Sequence, residues 1–502
     1  MHAMQLSSYD RIKQEAATIR YKSQAFINGH YVDAQAGKTF PCINPATGKV
    51  LAQVAACDAS DIDLAVKHAR HAFNAGTWSQ QSPAARKKVL LKLADLMEKN
   101  LHYLALLETL DTGKPIQDSL NNDVPSSIKC VRWYAEAIDK VYGQVAPTAT
   151  NVLAWITREP LGVVGAITPW NFPLYLACSK IAAALATGNS VLLKPAEQSP
   201  LTSIFMGELA ATAGIPDGVL NVVPGMGKIA GHAIGMHPDI DGISFTGSTE
   251  VGKLFLKYSA DSNMKRIALE CGGKSPNIIM ADCPDLDKAA QASVGEIFVN
   301  QGQICCAPTR LLIQKEIKDI FLEKLIAASK KFKPADPLHP NTVMGAVIDA
   351  GQMQRILGYI DAGKTEGAKI ACGGKQACKE LGGYFIEPTI FDDVTPQMKI
   401  AKEEIFGPVL SILTFNTMQD AIHMANDSHY GLSASVWSRD IQQAHVIAKA
   451  LRAGVVSINC INSGDITTPF GGYKQSGIGR ESSLYAFDHY TELKTTWLEI
   501  HV

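Results

Sequence analysis

The feature that most constrains this chain is an alternation. Short apolar runs of strand length recur, separated by segments with helical spacing. Leu161 to Thr168 (LGVVGAIT) reads as a buried strand, followed by Ser190 to Leu193, Val219 to Val223 and Ile243 to Thr246. A second series follows Gly273: Asn277 to Met280, Leu311 to Gln314, Val409 to Phe415, Ala434 to Trp437 and Val455 to Asn459. Short apolar strands between helices predict parallel sheets covered on both faces. The chain has 502 residues, enough for two to four domains at roughly 100–200 residues each. Two α/β domains in series are therefore expected, with no sharp linker between them. Ahead of them, Asp61 to Leu110 reads as helical, with Val89, Leu90, Leu93, Leu96 and Met97 at three- and four-residue spacing. Val145 to Arg158 and the tail from Tyr490 to Val502 read as β-ribbon. The tail has few core partners of its own, so pairing with another subunit is expected to use it.

Composition removes several classes of function. Basic residues number 47 and acidic residues 48, for a formal net charge of −1. That balance excludes a broad electrostatic grip on nucleic acid or an anionic membrane. Eleven cysteines in a chain of this length are too few for a disulfide scaffold. No C-x2-C pair and no H-E-x-x-H occurs, so no metal site is expected. The opening MHAMQLSSYDRIKQEAATIR is charged at Asp10, Arg11, Lys13 and Glu15 and shows no signal-peptide core. The most apolar helical stretch, Leu174 to Gly188, is interrupted by Lys180 and is shorter than the roughly 18–20 residues of a membrane span. A cytoplasmic protein with reduced thiols is the expectation.

Three segments have the look of a dinucleotide site. Leu193-Lys194-Pro195-Ala196-Glu197 places a lysine and a glutamate at the carboxyl end of a strand, where ligands bind in open α/β sheets. Glu197 can accept hydrogen bonds from ribose hydroxyls and would repel a 2′-phosphate, which favours NAD over NADP. A surface ion pair is the plain alternative. Phe245-Thr246-Gly247-Ser248-Thr249-Glu250-Val251-Gly252 follows a strand and opens a helix. Gly247 allows close backbone approach, and Ser248 with free N–H groups can hold pyrophosphate. Gly225-Met226-Gly227, with Gly231 beyond, is either part of an adenine pocket or a tight βα turn.

Three others carry candidate chemistry. Phe298 to Arg310 (FVNQGQICCAPTR) holds adjacent thiols in a loop context. A free thiol is only a few per cent thiolate at neutral pH, so a nucleophile needs help from its surroundings. Buried structural cysteines are the alternative. Glu270, beside the Gly272-Gly273 turn, is a candidate general base or an ion-pair partner. Asn171, between two prolines in Thr168-Pro169-Trp170-Asn171-Phe172-Pro173, is either an oxyanion donor or a helix cap.

Taken together, TPWNFP, LLKPAEQSP, FTGSTEVG, LECGGKSP, NQGQICCA, KEEIFGPV and PFGGYKQSGIGRE resemble the NAD(P)-dependent aldehyde dehydrogenase superfamily, in order from about Phe26 to Trp497. The blocks LETLDTGKPI, RWYAEAIDKVYG and ADSNMKR look most like the γ-glutamyl-γ-aminobutyraldehyde dehydrogenases. The resemblance implies a Rossmann-like NAD-binding domain over 1–141 and 161–272, and an α/β catalytic domain over 273–473. It also implies an oligomerisation β-ribbon over 142–160 and 487–502, in a dimer or tetramer.

The resemblance also assigns roles. In G-Q-x-C-x-A the nucleophile is Cys305, with Cys306 flanking the pocket. Glu270 matches the general base, and Asn171 the oxyanion donor together with the Cys305 N–H. Lys180 matches a lysine near that glutamate, where a proton path can run. Cofactor contacts fall on Thr168, Trp170, Lys194, Glu197, Gly225, Phe245, Gly247, Ser248 and Leu269, with Glu404 on the nicotinamide ribose and Phe406 beside the ring. The implied substrate funnel is lined near Asp123, Ser126, Phe172, Leu176, Ser179, Ile304, Cys306, Asp465 and Phe470. Ser179 implies a wide funnel, and Asp123 and Asp465 stand where they can meet a cationic amine; solvated loop aspartates are the alternative. The implied reaction oxidises an aldehyde to an acid through a cysteine thioester. The substrate expected is an ω-aminoaldehyde or γ-glutamyl-γ-aminobutyraldehyde of putrescine breakdown. Betaine aldehyde or a broad range of aliphatic aldehydes stays open, as does an NAD-independent cysteine hydrolase.

Overall fold

The computed structural model describes residues 9–461 and 464–501. The first eight residues, where the leader reading begins, and Val502, where the tail reading ends, lie outside the described residues.

Two sheets carry the molecule. The first has eight strands, in the order His30–Val32, Ala25–Ile27, Leu220–Val222, Ser190–Lys194, Val163–Ile167, Gly242–Thr246, Arg266–Glu270 and Gly477–Ile478. Its five inner strands are parallel, and both edges are antiparallel. The second has seven strands, in the order Lys369–Cys372, Thr389–Asp392, Val409–Phe415, Arg310–Gln314, Pro276–Ile279, Ser433–Trp437 and Val455–Ile458. All its pairs are parallel except the first. The inner strands Val163–Ile167, Ser190–Lys194 and Gly242–Thr246 are buried along their whole length, the pattern of a sheet covered on both faces. The run expected from Leu161 pairs only from Val163, because Gly162 takes φ 134 and the Leu161 N–H donates instead to Tyr490 O.

The helical stretch is three helices, Ala59–Asn74, Pro83–Lys99 and Leu101–Thr112. Their starts are set locally. Asp58 and Asp61 form a capping box, and Ser82 caps a helix whose first residue is Pro83. Leu90, Leu93 and Met97 face the core shared with the buried helix Pro173–Ala186. Among the described residues no helix is long and apolar enough to cross a membrane.

The tail finds a partner within its own chain. Thr491–Glu499 pairs antiparallel along its full length with Val152–Pro160 of the same chain, from Thr491 opposite Pro160 to Glu499 opposite Val152. The partner the sequence seemed to lack lies more than three hundred residues upstream. Gln144–Ala146 completes a three-stranded ribbon, in which Thr491–Glu499 is an edge strand with Leu493, Trp497 and Leu498 exposed.

The two sheets are joined where the chemistry is. Arg266–Glu270 ends the carboxyl edge of the first sheet, and Pro276 starts the amino edge of the second. The segment Cys271–Ser275 makes the crossing.

Candidate active site

Between Val163–Ile167 and Gly242–Thr246 the chain order of the first sheet reverses. The carboxyl ends on either side of such a switch point form a ligand crevice. Thr168 and Thr246 stand at those ends, and the hydroxyl oxygen of each is buried without a hydrogen-bond partner. Lys194 ends the neighbouring strand; its Nζ donates to Pro195 O at 2.9 Å and lies 3.6 Å from Glu197 Oε2. Lys194 and Glu197 are thus an ion pair, and they face the glycine turn. A Cβ built on Gly231 would lie 3.9 Å from the Lys194 stem, and one on Gly227 would lie 3.9 Å from the Glu197 carboxylate.

Ser248 caps the helix Thr249–Asp261, its Oγ accepting the Val251 N–H at 3.3 Å, so a helix N-terminus opens onto the crevice. Orphaned hydroxyls, a lysine–glutamate pair, a glycine turn and a helix N-terminus together fit a dinucleotide. Three other expected contacts are held by packing. The Phe245 ring packs on Phe255 beneath Gly247, where a Cβ would come within 2.5 Å of it. Leu269 is buried in the same core. Gly225 is required by the backbone of Cys57, whose oxygen would lie 2.6 Å from a Cβ.

The catalytic candidates come together from three distant segments. Cys305 lies in the loop between the helix Leu286–Phe298 and the strand Arg310–Gln314. Asn300 and Gln301 in that loop adopt φ of 47° and 56°, a conformation L-residues adopt only when their surroundings hold them there. Hydrogen bonds provide that hold. Gln303 Nε2 donates to Asn300 O at 3.2 Å, and Gln303 Oε1 accepts the Ile348 N–H at 2.9 Å. Asn171 Nδ2 donates to Gln303 O at 2.8 Å, and Asn300 Nδ2 donates back to Asn171 O at 3.0 Å. One Asn171 N–H is thereby tied to the cysteine loop, and the second remains for a ligand oxygen.

The Gly272-Gly273 turn closes the site from the other side. A Cβ on Gly273 would lie 2.5 Å from Cys305 O, and one on Gly272 would strike the Glu404 carboxylate. Glu404 Oε1 accepts the Gly273 N–H at 3.0 Å. Phe406, at φ 57°, sets its ring edge-on to Trp170 at 5.1 Å.

The electrostatics are those of a dry site. Glu270 is buried with Oε1 unpartnered, and burial, then the Cys305 thiol, pushes its carboxyl well above the usual range. The neighbouring Cys306, then burial, holds the Cys305 thiol well above its ordinary value. Both groups hold their protons more tightly than they would in water, so the thiol needs a base to release its proton. Lys180 is fully buried, bonded to Glu481 and 3.2 Å from Ser244 Oγ, and its charge lowers the Glu270 pKa.

The two aspartates are corrections to the expected cation site. Asp123 is buried and takes the Lys114 ammonium. Asp465 is exposed, and Lys129, bonded to it at 2.6 Å, holds its carboxyl down at about 2. Each already has a cation. Ser179 is buried, its hydroxyl donating to Leu176 O at 3.0 Å, while Ser126 is exposed and Phe172, Ile304 and Cys306 are half-buried. Phe470 pairs by backbone with Glu481, each N–H donating to the other's oxygen at 2.7 Å. The sequence reading missed Asn300, Gln303 and Glu481, although all three lie in the quoted blocks NQGQICCA and PFGGYKQSGIGRE. Their polar side chains in tight-turn sequence were the available signal.

Comparison with known proteins agrees with this geometry. The sequence profile of the aldehyde dehydrogenase family matches residues 31–496. The chain is 51% identical over 488 residues to the NADP/NAD-dependent aldehyde dehydrogenase PuuC of Escherichia coli K12, covering 97% of this chain and 98% of that one. The solved structure of an indole-3-acetaldehyde dehydrogenase complexed with NAD+ superposes with a TM-score of 0.98 at 52% identity, covering 99% and 100% of the two chains. That of γ-glutamyl-γ-aminobutyraldehyde dehydrogenase from Burkholderia cenocepacia J2315 gives 0.97 at 51% identity, with the same coverage. With Asn171, Glu270 and Cys305 gathered at the junction of its two sheets, the chain belongs to the aldehyde dehydrogenase family.

Proposed function

We propose that the protein oxidises an aldehyde to a carboxylic acid with NAD. The observation that carries this reading is the convergence on one point of Cys305, Glu270 and the Asn171 amide, beside a crevice that fits a dinucleotide. Lys194, Glu197, Ser248, Thr168 and Trp170 would hold NAD, with Glu404 and Phe406 at its nicotinamide end. Bound NAD supplies the oxidation by taking a hydride from the aldehyde carbon.

The chain's own groups do the rest. As a carboxylate, Glu270 takes the Cys305 thiol proton as the sulfur forms a bond to the aldehyde carbon and the carbonyl electron pair moves onto oxygen, and it passes that proton on before the hydrolysis. The free Asn171 N–H and the Cys305 backbone N–H hold that oxyanion. After oxidation the acyl group remains on Cys305 as a thioester. Glu270 takes a proton from water, which attacks the acyl carbon, and the acid leaves as the thiolate is restored. Lys180, paired with Glu481, gives the Glu270 proton a way out.

For the substrate, the relatives favour an ω-aminoaldehyde or its γ-glutamyl derivative. Asp123 and Asp465 are each paired with a lysine, so an amine at Asp465 would have to displace Lys129. We read the protein as a cytoplasmic homo-oligomer in which the exposed ribbon edge contacts a second copy.

An aldehyde panel with NAD and NADP, read by NADH or NADPH absorbance, tests the reading. Reduction of NAD with an aminoaldehyde is expected; acid release without NAD would show a hydrolase instead. Asp465→Ala should lower kcat/KM for aminoaldehydes relative to alkanals of equal length, and an unchanged ratio would remove Asp465 from the substrate site.

A further inference from the structure

The helix Leu101–Thr112 ends at Gly113, at φ 77°. A Cβ there would lie 2.8 Å from Pro45 Cβ and 2.9 Å from Ala346 O, so glycine alone turns the chain here. The turn drives Lys114 inward, to 1% exposure. Its Nζ lies 2.5 Å from Asp123 Oδ2 and 3.5 Å from Glu108 Oε1. It also stands 4.3 Å from the centroid of the Phe172 ring. The second oxygen of Glu108 accepts the Leu174 N–H at 3.3 Å, in the first turn of Pro173–Ala186. One ammonium therefore reaches both ends of a short corner, the Phe172 ring directly and the Leu174 amide through Glu108. Asn171 begins that corner.

We propose that Lys114 is a positioning residue for the aldehyde site: through Phe172 and Glu108 it fixes the Asn171–Leu174 corner, and so places the oxyanion donor and the funnel wall. This rests on the proposed reaction and deepens it. The ammonium is suited to the task because it is charged and dry. Burial pulls its pKa down, but Asp123 and Glu108 outweigh burial and raise it. Asp111 and Asp118 complete the ring of acids around this turn; burial lifts Asp118 to about 6 and Glu108 to about 7. A desolvated cation over a ring contributes on the order of tenfold to the equilibrium that holds it.

Hydrogen exchange of the whole protein, with steady-state kinetics beside it, tests the assignment. In Lys114→Met, peptides covering 171–176 should exchange about tenfold faster, while those covering 242–252 stay unchanged. kcat should fall about tenfold with a smaller change in KM, as expected when a donor to the transition state is misplaced. Lys114→Arg should recover part of the protection. Unchanged exchange over 171–176, or a uniform rise across the chain, would overturn the proposal. If Lys114→Met does not fold, Phe172→Leu decides: with the lysine intact, exchange over 171–176 should still rise, and no rise overturns the proposal. Wild-type protein without aldehyde oxidation would refute the proposed reaction, while the exchange arm would still judge Lys114.

Discussion

The two halves of the site are built in opposite ways. Around Cys305 the groups that hold the loop are already bonded, while Glu270 Oε1, Asn171 Oδ1 and Asn300 Oδ1 are buried without partners. Gln303 is bonded at both ends, Asn300 and Asn171 are tied to each other and to the loop, and the glycine turn leaves no slack. Across the crevice, the Thr168 and Thr246 hydroxyls are buried and unanswered. One half has its loop fixed by side-chain bonds and leaves open only atoms beside the reacting centre; the other presents hydroxyls that a ligand would satisfy. The difference follows from what each must do. A nucleophile and an oxyanion donor work only if they do not have to reorganise during reaction, whereas a binding surface gains affinity from groups it can newly satisfy.

The sharpest way to break this contrast is at the thiols. Cys305→Ala should lower turnover roughly 10⁴–10⁶-fold, as loss of a nucleophile does in other covalent enzymes. Cys306→Ala should keep most of it. The reverse order of effects in an NADH assay would move the nucleophile to Cys306. Asn171→Ala comes next, with kcat expected to fall about 10²–10³-fold. A fall in affinity alone would leave Asn171 as a tie to the cysteine loop and not an oxyanion donor.

On the receptive side the effects should be smaller. Burial pushes the Glu404 carboxyl up to about 7, so the folded protein holds its proton more tightly than the unfolded chain. Its contribution to stability is full below its ordinary value of 4.5 and is lost as pH rises through about 7. Glu404→Gln should therefore lose less Tm than wild type between about pH 5 and about pH 8. Parallel losses would show that Glu404 is not the group titrating. Smallest is Glu197→Ala. Because Lys194 already offsets the Glu197 charge, NAD should lose only several-fold of its preference over NADP, a change of order 1 kcal/mol. A complete reversal of preference would mean that Glu197 acts as an unpaired charge.

Much of the fold could be read in advance because local physics dictates it. The expected run Val409–Phe415 matches residue for residue, and the other eight expected runs lie within two residues of observed strands; Ala25–Ile27, His30–Val32, Arg266–Glu270, Lys369–Cys372, Thr389–Asp392 and Gly477–Ile478 were not anticipated. Fully apolar runs of that length have nowhere to go but the inside of a covered sheet. The ribbon tail was harder. Its residues announce a strand but not a partner, since pairing across more than three hundred residues leaves no local mark. Asp123 failed for a related reason. Read as a strip of sequence, an aspartate near a funnel is a candidate anion; Lys114, nine residues away, meets it only because the Gly113 turn reverses the chain.

The sequence by itself therefore determined the apolar inner strands, the two-sheet plan and the segments that hold the chemistry, but not the short edge strands or Arg266–Glu270. Strand burial, helix caps and glycine turns are short-range consequences of residue type. Tertiary structure decided which polar groups are already answered. It paired Asp123 with Lys114, Glu197 with Lys194 and Lys180 with Glu481, and left Thr168, Thr246 and Glu270 Oε1 without partners. A side chain's charge and hydrogen-bonding capacity are written in its name, but whether they remain available depends on neighbours that only the folded chain supplies.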